Sequence, residues 1–151
     1  MAAPYSGQCL CGAVRYRVDA EPLAVYTCHC TDCQRRTGSA FAFTVVVPRA
    51  ALRLLAGATA RYLAELPDGR VKQGQMCAAC GTRLWGDAKD ASIVALTHGS
   101  LDQPTGLTPV AHLYTRSAQP WFALPEDVRH YETQPSERGE IARLWAAVHA
   151  V

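Results

Sequence analysis

The 151-residue chain predicts a mainly β fold of short antiparallel strands, with a short helix in its first third and an amphipathic helix at its end. Three observations lead there. Extended runs alternate apolar and polar residues, turn signals separate them, and seven cysteines gather in three tight clusters. The clusters are Cys9-Leu10-Cys11-Gly12, Cys28-His29-Cys30-Thr31-Asp32-Cys33 and Cys77-Ala78-Ala79-Cys80-Gly81.

Taken in order, Ala13 to Val18 alternates around Val14, Tyr16 and Val18, the pattern of a half-buried strand. Leu23 to Cys30 is a second extended run, and Ala40 to Val47 a third, rich in β-branched and aromatic residues and stopped by Pro48. Between the last two, Thr31-Asp32-Cys33-Gln34 has the pattern of a capping box, and Gly38 can end the short helix it opens. Arg61 to Leu66 and Val71 to Met76 flank Pro67-Asp68-Gly69-Arg70, a hairpin turn. Further strands are expected at Ser92 to Thr97 and Val110 to Thr115. From Glu137 to His149 the period changes: Ile141, Leu144, Trp145 and Val148 form one helical stripe, with Ser136 as the expected N-cap.

Composition excludes several classes. Hydrophobic residues make up 49 % and charged residues 19 %, a globular balance that argues against disorder. A net charge of +2 is too small to imply nucleic-acid or membrane-surface binding. No apolar run is long enough to span a bilayer, and Met1-Ala2-Ala3-Pro4-Tyr5-Ser6 carries no secretory pattern. A reducing cytoplasm is therefore expected, where clustered cysteines act as metal ligands rather than disulfides.

An odd number of thiols cannot pair completely, but it divides into four and three. Structural zinc takes four protein ligands, whereas catalytic zinc takes three and leaves a position for water or substrate. Cys9 and Cys11, two apart on one strand face, can converge on an ion, and Cys77 and Cys80 form a CxxC turn. Gly12 and Gly81 supply a permissive backbone after each pair. One ion on all four would clip the start of the chain to the later hairpin; two independent redox pairs are the alternative. In the middle cluster, Cys28 and Cys30 share a strand face and Cys33 follows from the helix, so three sulfurs can form the base of a tetrahedron with an open apex. His29 is expected to point to the opposite face. Three thiolates leave a divalent ion with net charge −1, better suited to holding an incoming thiolate than to activating water. Arg35 and Arg36 would then assist an anionic thiol, with a solvated helix face as the alternative. His112 or His98 is a candidate proton donor, and either could instead be structural.

With these residues in place, the chain resembles the GFA family, the glutathione-dependent formaldehyde-activating enzymes and centromere protein V-like domains. The motifs run in the family's order: Gly7-Gln8-Cys9-Leu10-Cys11-Gly12-Ala13-Val14, then Cys28-His29-Cys30-Thr31-Asp32-Cys33 leading into Thr37-Gly38-Ser39-Ala40-Phe41. After them come Cys77-Ala78-Ala79-Cys80-Gly81, Gly99-Ser100-Leu101-Asp102, and His112-Leu113-Tyr114 ahead of Pro120-Trp121-Phe122. The resemblance implies a β-tent type fold, a structural zinc on Cys9, Cys11, Cys77 and Cys80, and a labile catalytic zinc on Cys28, Cys30 and Cys33. It also implies reversible addition of glutathione to formaldehyde, a carbon–sulfur lyase type of reaction. Residues 1–135 would form the zinc-binding domain, and 136–151 a helix packed on it or at a subunit interface, in a monomer or homodimer. The substrate side would involve Arg35, Arg36 and His112, with a small thiol and a small aldehyde as partners and no nucleic acid or membrane. Two other functions stay open: a non-catalytic zinc-stabilised binding module, and a thiol redox or metal sensor.

Overall fold

The computed structural model describes residues 2–150. In chain order its strands are β1 (Tyr5–Gln8), β2 (Arg15–Val18), β3 (Ala24–Cys28), β4 (Ala42–Pro48), β5 (Leu52–Ala56) and β6 (Thr59–Glu65). They continue as β7 (Val71–Cys77), β8 (Arg83–Asp87), β9 (Ile93–Thr97), β10 (Ala111–Leu113) and β11 (Arg129–Tyr131). The helices are α1 (Thr31–Thr37) and α2 (Glu140–His149), so the fold is mainly β with a helix after the middle cysteine cluster and a second at the end. None of the described helices is long and apolar enough to cross a membrane. The chain forms two compact units: one of residues up to Pro22 with Val46–Gly106, the other of Leu23–Val45 with residues from Leu107 on.

In the first unit, β1, β2 and β5 make an antiparallel sheet in that order, with Tyr5 opposite Val18 and Val18 opposite Leu52. β6 to β9 form an antiparallel meander, its first hairpin turning at Gly69 with φ 80°. Tyr16, Leu84, Leu96, Val14, Val18 and Val94 are all but sealed from solvent and build the core. The Tyr16 hydroxyl meets Ser100 Oγ at 2.7 Å, and its ring stands edge-on to Trp85. Gly7 is required beside it, because a Cβ there would collide with the Tyr16 ring and the Ser100 carbonyl.

In the second unit the strand order is β11-β10-β3-β4. Here β10 pairs in parallel with both neighbours, setting His112 opposite Thr27 and His130. Two parallel pairings thus join the antiparallel ones that the sequence predicts. Helix α2 packs on β3, with Trp145 buried at 5 % exposure and stacked on His149 at 3.7 Å.

Several elements depart from the sequence-based expectation. Sequence periodicity does not reveal β1, β5, β8 and β11: β1 alternates in burial but has a glycine at one of its two inward positions, β5 is almost wholly exposed, β8 is buried on both faces, and β11 is three residues long. Helix α2 starts at Glu140 rather than Glu137, and Gly139, left-handed at φ 81°, takes the cap position expected for Ser136. Cys30 rather than Thr31 caps α1, its sulfur accepting from Cys33 N–H at 3.4 Å. With no capping box to complete, the Gln34 side chain instead donates to the carbonyls of His29 and Ser117.

Candidate metal centres

Each unit carries one group of sulfurs. In the first, the Sγ atoms of Cys9, Cys11, Cys77 and Cys80 all lie within 4.8 Å of one another. Cys9 and Cys11 sit in a turn after β1 rather than on one strand face, and two loops whose Cys-to-Gly turns differ by one residue in length present the four thiols. In one loop, Gly12 N–H donates to Cys9 O at 3.0 Å and Cys9 N–H to Val14 O at 3.1 Å. In the other, Gly81 N–H donates to Cys77 O at 3.0 Å and Cys77 N–H to Thr82 O at 2.9 Å. Both glycines are left-handed, at φ 75° and 73°, which allows each chain to turn back past its sulfurs. Val14 N–H points at Cys9 Sγ from 3.2 Å. The Thr82 hydroxyl contacts Cys80 Sγ at 3.1 Å and helps to bring the Cys80 thiol down to about 5, ahead of the backbone N–H groups around it. Leu10 N–H donates to the same hydroxyl, tying one loop to the other.

No cysteine is in a disulfide. Sulfur separations of 3.5 Å for Cys9–Cys11 and 3.9 Å for Cys11–Cys77 match the roughly 3.8 Å spacing of thiolates on a tetrahedral ion. Cys9 and Cys77 are buried, whereas Cys11 and Cys80 are exposed.

In the second unit, Cys28 ends β3, Cys30 caps α1 and Cys33 lies in its first turn; their Sγ atoms again fall within 4.8 Å of one another. Crowding by the Cys30 and Cys33 sulfurs, together with burial, pushes the Cys28 thiol far up, and Cys33 is raised too. Three sulfurs this close cannot all ionise without a cation among them, so the donor set fits a metal ion. Tyr26, Tyr114, Tyr131 and Ile141 pack around Cys28, Ala111 and Leu113. Burial first, then the neighbouring Cys28 and Cys33, push the Tyr26 hydroxyl up to about 12, so it remains a neutral donor.

The other expected site residues are placed differently. Arg36 is half-buried with Nη2 at 3.5 Å from Cys33 Sγ, while Arg35 on the same helix is exposed. His29 and His112 stand outside the sulfur group, at 0 % and 2 % exposure. His112 Nδ1 lies 2.6 Å from Thr27 Oγ1 and 3.1 Å from His29 Nε2, forming a buried polar cluster walled by Phe41 and Phe122. Burial, reinforced by His29 and His130, lowers His112 to about 4, and His29 is also lowered, so both rings are neutral at physiological pH. Their outer nitrogens, His29 Nδ1 and His112 Nε2, are buried without a hydrogen-bond partner. Thr27 was not anticipated; its signal is the parallel register that sets it opposite His112, which local sequence does not show. His98 lies in the first unit, its Nε2 against Pro104 O.

Fold and sulfur groups together define a mainly β protein with two cysteine sites able to hold metal ions. The chain belongs to the family of glutathione-dependent formaldehyde-activating enzymes, which residues 4–117 match. A crystal structure of a Rhodobacter sphaeroides protein is similar at a TM-score of 0.53 and 24 % identity, covering 71 % of this chain and 98 % of that one, a likeness of fold. No curated protein matches the chain.

Proposed function

We propose that the protein is a zinc-dependent carbon–sulfur lyase of the family's type, adding a thiol, with glutathione the first candidate, reversibly to formaldehyde or a similar small electrophile. The observation that carries this reading is the group of Cys28, Cys30 and Cys33, three converging sulfurs with no fourth His, Cys or carboxylate among the described residues. Cys9, Cys11, Cys77 and Cys80 would hold a structural zinc. The family membership supplies the reaction class.

A zinc ion on three thiolates would offer its fourth position to a substrate sulfur and stabilise it as thiolate. In the reaction itself an S–C bond forms, the carbonyl π pair moves to oxygen, and the proton given up by the thiol ends on that oxygen. Arg35, exposed on α1, would draw in an anionic thiol. Arg36 offsets negative charge at Cys33. His112, neutral and sealed from solvent, is in the form that can accept a proton, and it meets Thr27 and His29, the chain neighbours of Cys28 and Cys30. Residues 1–135 would constitute the catalytic domain and 136–151 its packed terminal helix, working in a reducing cytoplasm. A metal-free redox sensor is the weaker reading, since the raised Cys28 and Cys33 thiols are mostly protonated and poor nucleophiles.

Anaerobic protein analysed for zinc and then titrated with glutathione tests the proposal. Two zincs per chain, one perturbed by glutathione, together with adduct formation faster than in buffer by NMR, are expected. One zinc indifferent to glutathione, and no acceleration with formaldehyde or other small aldehydes, would refute it in favour of a binding module.

A further inference from the structure

We infer that Arg36 is a positioning residue for the three-sulfur group: its guanidinium anchors the Cys33 sulfur and balances the charge of the group, instead of waiting in solvent for substrate. The inference rests on the proposed reading that Cys28, Cys30 and Cys33 share a divalent ion.

Four observations support it. Cys33 and Arg36 are three residues apart on α1, so their side chains occupy one face of the helix. Arg36 Nη2 donates to Cys33 Sγ across 3.5 Å, within the range of a long hydrogen bond to sulfur. The arginine sits in the last helical turn, where its charge could have served the free carbonyls, yet it reaches back toward the first turn, as helical side chains lean. Finally, Arg36 Nε is buried without an acceptor. Leaving that N–H unpaired is costly, so something must hold the guanidinium in place, and the sulfur at its other end carries the compensating charge.

Charge arithmetic points the same way. Three thiolates and a divalent ion sum to −1, and one guanidinium brings the assembly to neutrality. Outer groups that hydrogen-bond to metal ligands fix ligand orientation and tune the ion, and losing one typically weakens metal binding 10- to 100-fold. Cys33 thus carries a cationic donor on its sulfur. Arg35, exposed and one residue away, remains available to substrate.

The test compares full-length wild type with Arg36→Met, which keeps the length and loses the charge, and Arg36→Lys, which keeps the charge and loses the planar fork. Each is titrated with zinc against a chromophoric chelator and, separately, with cobalt(II) to read the thiolate-to-metal charge-transfer absorption. Arg36→Met is expected to bind the second zinc 10- to 100-fold more weakly and to shift the charge-transfer band, with the first zinc unchanged and Arg36→Lys recovering part of both. Unchanged affinity and band in Arg36→Met, with wild type holding two zincs, would overturn the role of Arg36 alone. Wild type that never takes a second metal would overturn the three-sulfur reading and this inference with it. If Arg36→Met does not fold, Arg36→Lys decides: a band and affinity identical to wild type would mean that the fork geometry is irrelevant, contrary to the inference.

Discussion

Cys30 does two things with one atom. Its sulfur accepts the Cys33 amide as the N-cap of α1 and also belongs to the triplet. Serine can take over the first task, being a good N-cap, but is a poor zinc ligand. Cys30→Ser should therefore keep the helix and the fold while zinc falls from two per chain to one; circular dichroism and elemental analysis check this. His112 makes a second prediction at this scale. Its folded value of about 4 lies below the ordinary 6.5, so the unfolded chain binds a proton that the folded chain refuses. The associated stability is complete above pH 6.5, is lost as pH falls, and has gone by about pH 4, a change on the order of 3 kcal/mol. Subtracting the stability curve of His112→Gln from that of wild type removes the shared effect of metal loss and should leave this slope. Among single residues the cysteines were legible because ligand spacing is local. The partnership of His112 with Thr27 was not, since it joins residues 85 positions apart through a parallel pairing.

Elements show where periodicity succeeds as evidence. The stripe of Ile141, Leu144, Trp145 and Val148 announced α2, yet its buried anchor is Trp145, while Val148 remains 69 % exposed. Truncating that anchor should cost the most. Trp145→Ala is expected to destabilise the protein by about 3 kcal/mol in denaturant titration, through lost packing on β3. At the end of α1, Gly38 adopts φ 67° with nothing within 4 Å of a built Cβ. Gly38→Ala should thus cost only the left-handed backbone, about 1 kcal/mol. Helix starts were harder to place than helix bodies: Ser136 and Thr31 both look like caps, but Gly139 and Cys30 occupy those positions. Cap preference is a weak local energy that a turn conformation or a sulfur acceptor can override.

For the molecule as a whole, the division of seven thiols into four and three was readable from the chain, and each group falls within one compact unit. What could not be read was that the chain leaves the first unit at Leu23 and returns at Val46, because unit membership follows long-range pairing. An ion held by the four-sulfur group would close a loop between residues 66 apart, counted from Cys11 to Cys77. A cross-link of that length contributes on the order of 4 kcal/mol in the loop-entropy picture. Removing all metal with a strong chelator should therefore lower the melting temperature far more than Cys30→Ser does, and zinc should restore it.

The burial of the four-sulfur group has one more consequence. Cys9 and Cys77 face inward while Cys11 and Cys80 face the solvent, so an ion held there has a closed back and an open door. A competitor arriving from outside meets Cys11 and Cys80 first and can detach them while Cys9 and Cys77 keep their grip. Exchange then becomes a handover in two stages, its speed set by the incoming chelator and not by how often the protein unfolds.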